Sequence, residues 1–401
     1  MKAENHYSLT SSKVYRFAIE VIKRMPLIGE SIRAEITASV IVFAAAFRIS
    51  VNQSCSVLNG APSGVTILNE LAAGSTDLES LQIKYNRSLL KLLPKGLRKR
   101  ERRVAIDIVK TPYHGTVEAE FEDEVVRSKA EQGTTHFFAY ATAYAIVSGR
   151  RYTLAMYRVQ SGEKMDEVLK KLVRRLREIG VKIGLLLIDR GFYSVAVIKY
   201  LIGRQQQFIM PAVVRGKEAC EDCAATGTRA LAQLKSSRWT SYRMKNSEGE
   251  EVEFDMAVVC INADGKRDRH ERVTLLYVTY GLKARPLTWI KETYRKRFGI
   301  EASYRQLHQA RIRTSTRNPI LRFLFVAVAL MLRNIWVWLH SQVIAIPNRG
   351  RRISLPSVLR FQHLLLWLLF ETASRYDLLK QIDVPIDLLD AAQEFGFVFN
   401  Y

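Results

Sequence analysis

Cysteine is scarce in this chain, 4 in 401 residues, and so few thiols in so long a chain build no disulfide framework. Cys220 and Cys223 form a C-x-x-C, but Cys55 and Cys260 stand alone, so no second pair follows at zinc spacing. Sulfur-bound metal has weak support, and two free thiols in a loop are expected there. Long apolar runs are missing as well. ITASVIVFAAAF (36–47) and HLLLWLLF (363–370) are short, and FLFVAVALMLRNIWVWL (323–339) is interrupted by Arg333 and Asn334. A membrane span needs about 20 apolar residues, so these read as buried helices. The opening MKAENHYSLTSSKVYR lacks the apolar core of a signal peptide. A cytoplasmic, reducing location without membrane attachment is expected. Acidic residues are the third shortage. Against 61 Lys+Arg stand 39 Asp+Glu, a formal net charge of +22. Such an excess points to a polyanionic partner, nucleic acid above all.

What is present is a large core and a changing pattern. Hydrophobic residues make up 48% of the chain, enough for one large domain or two to three modest ones. Residues 1–100 read as a helical N-terminal domain. Helical spacing runs through 11–25 and 31–50, a Gly/Pro break falls at 59–64, and helices follow at 65–74 and 75–93. Short helices around a Gly-containing turn are compatible with a DNA-reading helix-turn-helix, and equally with a plain bundle. KGLRKRERR (95–103) then supplies a basic linker. Lys95, Arg98, Lys99 and Arg100 are candidate DNA contacts because they lead directly into the first strand.

From 104 the period changes. VAIDIVK (104–110), FFAYATAYAIV (137–147) and YTLAMYRV (152–159) are strand-like. An amphipathic helix at 165–180, a buried strand IGLLLIDR (183–190), a helix at 195–204 and a strand at 208–214 follow. Three strands, helix, strand, helix, strand is the order of an RNase H-like α/β core, with the first strand central and the fourth beside it in parallel. Residues 101–345 are assigned to this core. Within it, about 215–285 reads as a β-rich insertion of three antiparallel strands (238–244, 252–261, 272–281). Helix is expected again over 285–312 and from 319 to about 345, then a helical C-terminal tail over 346–401.

Three acids stand out against this frame. Asp107 lies inside the first strand, Asp189 ends the fourth, and Glu301 lies in TYRKRFGIEASYRQLH (293–308). A carboxylate in an apolar strand is costly unless it is paired or holds a cation. Two such strands and a third acid on a helix suit Mg²⁺ or Mn²⁺, which favour oxygen donors. On a continuous α-helix, Tyr294, Arg297, Glu301, Arg305 and His308 fall on one stripe about 80° wide. Glu292 points away from it.

These blocks resemble a family. Tyr294-x2-Arg297-x3-Glu301 is similar to the Tyr-x2-Arg-x3-Glu-x6-Lys signature of insertion-sequence DDE transposases. DRGFYS (189–194) resembles the element around their second acid and VAIDIVKTPYHG (104–115) the block around their first, so the likeness spans roughly 100–345. It departs at the signature Lys, where this chain has His308; His308, Arg305 or Arg311 would take that place. The resemblance implies two divalent ions on Asp107, Asp189 and Glu301. It implies phosphate contacts by Tyr294, Arg297, Arg305 and His308, and a base stacked on Trp239 of the insertion. It implies double-stranded DNA, transposon ends and target, as partner, with a homodimer assembled on DNA in the nucleoid. The expected activity is metal-dependent DNA cleavage and strand transfer. A domesticated DNA-binding protein without cleavage, or an RNase H-like nuclease or resolvase, is the competing reading.

Overall fold

The computed structural model describes residues 8–74, 77–147, 150–220, 223–264, 270–298, 306–348, 351–353 and 358–378. Five helices open the chain: α1 (Ser11–Lys23), α2 (Ala34–Phe47), α3 (Val51–Val57), α4 (Gly64–Ala73) and α5 (Leu78–Leu90). Side-chain caps set several starts, including Thr10, Ser63, Asp77 and a Ser50–Gln53 capping box. One helix was expected over 31–50. Instead α2 stops at Phe47, where Arg48 turns left-handed (φ 60°), and α3 starts after Ser50.

A nine-stranded sheet follows. Its strands are β1 (Arg102–Tyr113), β2 (Val126–Glu131), β3 (Thr134–Val147), β4 (Arg150–Val159), β5 (Ile183–Ile188), β6 (Phe208–Pro211), β7 (Arg238–Lys245), β8 (Glu251–Asp264) and β9 (His270–Tyr280). α6 (Met165–Glu178) links β4 to β5 and α7 (Val195–Gly203) links β5 to β6. β1 pairs antiparallel with β3 and parallel with β5, β3 pairs with β4, and β5 pairs in parallel with β6. The order β4-β3-β1-β5-β6 is the RNase H-like core, with β1 central. β2 was not anticipated; its sequence VRSKAE is polar and mostly exposed, without strand periodicity.

The three strands of the β-rich segment extend this same sheet. β9 pairs with β6 from Phe208↔Tyr280 to Pro211↔Tyr277, and β8 and β7 follow outward. A short helix, α8 (Gly227–Ala232), precedes them. Cys220 and Cys223 are joined by a disulfide rather than free; Cys220 N–H donates to the Cys223 carbonyl at 2.9 Å and their Cα atoms lie 4.9 Å apart, close enough for bridging.

Strand alternation sorts the core into two layers. Val104, Ile106, Leu186, Ile188, Phe208 and Met210 face α6 and α7. Ala105, Val109, Tyr140, Tyr144, Leu187 and Ile209 face the other way. There they join the N-terminal helices and two later ones. After α9 (Leu287–Arg295) these are α10 (Pro319–Leu339) and α11 (Phe361–Tyr376). The stretch Pro319–Ile344 is long and apolar enough to cross a membrane, and 94% of its most apolar window is buried inside the protein. Its polar interruptions are satisfied within that layer. The Asn334 amide donates to the Thr153 carbonyl and accepts from Thr153 N–H, both at 3.0 Å. Arg333 donates to the Arg151 carbonyl at 2.9 Å. α5 treats β4 similarly: Asn86 exchanges two hydrogen bonds with Met156, and Gln82 accepts from Arg158 N–H. The outer edge of β4 is thus closed by side-chain amides, which stops it from recruiting another strand.

Candidate active site

The parallel register sets the site. β1 and β5 run side by side with Ile106 opposite Ile188. The next residue on each strand is an aspartate, Asp107 and Asp189. Because Ile106 and Ile188 both face α6 and α7, alternation turns both aspartates toward the opposite layer. Two acids far apart in sequence therefore emerge together at one end of the central strand pair.

A single cation joins them. The Arg297 guanidinium places one nitrogen, Nη2, 2.8 Å from Asp107 Oδ2 and 3.0 Å from Asp189 Oδ1. The Arg297 side chain is 7% exposed, that of Asp107 16% and that of Asp189 40%. The cluster is thus buried on the arginine side and open on the Asp189 side. Each aspartate keeps a second anchor: Asp107 Oδ1 accepts from Ile108 N–H at 2.8 Å, and Asp189 Oδ2 accepts from Gly191 N–H at 3.2 Å. Asp189 caps the tight turn Arg190–Phe192.

The expected continuous helix over 285–312 is not observed. α9 ends at Arg295, and Lys296–Phe298 tighten into a 3₁₀ turn before Gly299 in the sequence. Tyr294 and Arg297 nevertheless stay on one face, the guanidinium 5.7 Å from the centre of the Tyr294 ring. Tyr294 is 2% exposed, with its hydroxyl 3.4 Å from the Ile188 carbonyl and its ring against Tyr277. Burial raises its pKa, so the hydroxyl keeps its proton. Tyr294 packs beneath the aspartates; Arg297, tilted by the tighter turn, reaches between them. Glu292 is exposed. Glu301 and Arg305 lie outside the described residues.

His308 is half-buried. Its pKa is lowered, first by burial and then by the positive charges of Arg311 and Arg48. Trp239 is partly buried and packs against the core cluster that faces the helical layer. In the linker, Arg98, Lys99 and Arg100 are exposed around the buried Leu97. His114 is exposed, while Tyr193 is buried with its pKa pushed up to about 12 by burial.

The donor chemistry suits a hard divalent ion. Two carboxylate oxygens converge on one position already taken by a positive charge; among the described residues they are not joined by a third ligand. Sequence reasoning placed Arg297 on phosphate and did not foresee its pairing with both acids. The available signal was an arginine that must be buried near two strand-borne carboxylates.

Residues 101–335 match the model of a transposase DDE domain. No curated protein matches the sequence. Among solved structures, the chain is similar to a piggyBac transposase in a synaptic complex with hairpin DNA. The TM-score is 0.51 at 11% identity, over 97% of this chain and 85% of that one. At that identity the likeness speaks for the fold.

Proposed function

The chain belongs to the transposase DDE domain family, and on that premise we propose that it binds the two ends of an insertion sequence and cuts and joins DNA strands there. The observation that carries this reading is the convergence of Asp107 and Asp189 on one cation position at the end of adjacent parallel strands. Asp107, Asp189 and Glu301 would hold Mg²⁺ or Mn²⁺, two ions in all. When bound, these supply Lewis acidity and positive charge to phosphoryl transfer, a reaction that depends on positioning and charge neutralisation.

The protein's own residues do the rest. The rigid β1–β5 pair fixes the spacing of the aspartates, and the Gly191 and Ile108 amides hold their orientation. Arg297 keeps two like charges together while no divalent ion is present. With the carboxylates otherwise engaged, its guanidinium pairs with a phosphate flanking the scissile bond, aided by Arg305 and His308. Tyr294 supports that movement from below. Trp239, on the extended sheet, stacks a flipped base of the end DNA, and Lys95, Arg98, Lys99 and Arg100 track the backbone. The acting form is a homodimer on double-stranded DNA. The test is direct. Protein is incubated with duplexes carrying the DNA that flanks its gene, with Mg²⁺, and nicks and joined products are mapped at nucleotide resolution. Defined cuts at the element boundary are expected; random nicking or none would overturn the reading.

A further inference from the structure

A second group of cations lies on the same face of the sheet, with no carboxylate among them. Thr111 follows Asp107 by two alternations of β1, about 13 Å along the strand. Arg311, Thr314 and Arg322 stand with it at the rim of a small cavity whose other walls are apolar, Leu307, Ile312 and Phe325 among them. Arg322 is 5% exposed, clamped over the rings of Tyr113 and Phe138 at 5.0 and 4.5 Å, and donates through Nε to the Thr316 carbonyl at 2.7 Å. That bond holds the loop after Arg311 in place. The helical N-terminal region reaches the same spot: Arg313 N–H donates to the Ile49 carbonyl at 3.2 Å, next to the exposed Arg48. Arg48 stands at φ 60°, a conformation unfavourable for a side chain of its type. Burial first, and the neighbouring positive charges second, lower the proton affinity of His308 and Arg311. Among the described residues no Asp or Glu pairs with Arg48, Arg311, Arg313 or Arg322.

We propose that Arg48 and Arg311, brought together from the N-terminal helices and the segment before α10, form a separate docking site for the backbone phosphates of the DNA strand that runs along β1 away from the cleaved bond. An anion is what the exposed Arg48 and the partly buried Arg311, with no acid paired to either among the described residues, lack, and a phosphodiester accepts the planar arginine fork well. The site also gives the N-terminal helices a share in holding DNA without any reading of bases. The proposal rests on the DNA-cutting reading above.

The test measures binding of a 30-base-pair duplex by fluorescence anisotropy across a salt series, with the full chain. Arg48→Asn is the first variant, because Asn tolerates the left-handed backbone. Arg311→Gln is the second, with Arg311→Lys as the charge-retaining partner and urea midpoints to confirm folding. Each lost phosphate contact should lower the log–log salt slope by about 0.9. Arg48→Asn and Arg311→Gln should each show about that loss, their combination about twice it, and Arg311→Lys most of the wild-type slope. Arg204→Gln, an exposed arginine on the opposite layer, should leave the slope alone. If Arg48→Asn keeps the wild-type slope in a chain that binds DNA, the docking site is overturned and the transposase reading stands. If the wild-type chain binds no duplex at all, both are overturned.

Discussion

Two buried polar clusters sit on the helical face of one sheet, and they are built on opposite terms. At the outer edge of β4, Asn334, Asn86 and Gln82 meet backbone groups with neutral amides. Asn334 is fully buried and its contacts reach solvent nowhere. At the end of β1 and β5, one guanidinium is shared by two carboxylates, and Asp189 remains 40% exposed. Neutral amides on backbone are saturated and directional, so they specify a fold and exchange with nothing. Ionic groups that share one partner at a solvent boundary can trade it for a metal ion or a phosphate. Buried polarity with neutral, complete partners is architecture here, and buried polarity with an exchangeable charge is chemistry.

Removing a carboxylate should separate the two most sharply. Asp107→Asn or Asp189→Asn keeps volume and loses the charge. Cleavage mapped on end DNA should fall by about a thousandfold or more, with DNA binding retained and the urea midpoint little changed. Near wild-type cutting by either variant would remove that residue from the catalytic group. Asn334→Leu should do the reverse. It leaves Thr153 N–H and carbonyl unpaired, at about 1–3 kcal/mol each, so urea denaturation should show a loss of about 2–6 kcal/mol. Cutting per folded molecule should hold.

A smaller effect is expected at the shared cation. Arg297→Gln frees the aspartates from their internal partner while leaving their mutual repulsion. Mn²⁺ titrated calorimetrically should bind about tenfold tighter, even as cleavage weakens. Weaker Mn²⁺ binding would mean that Arg297 does not compete for that position. The smallest effect concerns His308, whose folded-state pKa lies below its ordinary value because of burial, Arg311 and Arg48. Below about pH 6.5 the unfolded chain takes up a proton that the folded site resists. Its share of stability is therefore complete above that pH and is lost as the pH falls. His308→Gln should flatten that part of the urea-midpoint profile. His340, lowered chiefly by burial, keeps its own contribution. An unchanged profile would show that His308 titrates as it does in the unfolded chain.

Much of this organisation was legible in the chain. Strands β1, β3, β4 and β5 and helices α6 and α7 carry clear periods, and their order named the core. The misses are physical. The polar β2 has no apolar period and exists because β3 offers an edge. Strands 238–245, 251–264 and 270–280 were recognisable as strands, but periodicity does not say which edge they join. The helix after 287 reads as unbroken in propensity, yet it tightens at Lys296–Phe298, where Arg297 reaches its two acids.

The sequence by itself determined where carboxylates interrupt apolar strands, because burying a charge is costly wherever the chain goes. It also determined the excess of positive charge and the likeness to the transposase signature. Only the tertiary structure decided which groups meet. Register placed Asp107 beside Asp189, packing buried Tyr294 beneath them, and a three-residue turn aimed Arg297 at both. Those choices depend on contacts between segments distant in the chain, and no local pattern of residues encodes the distance between them.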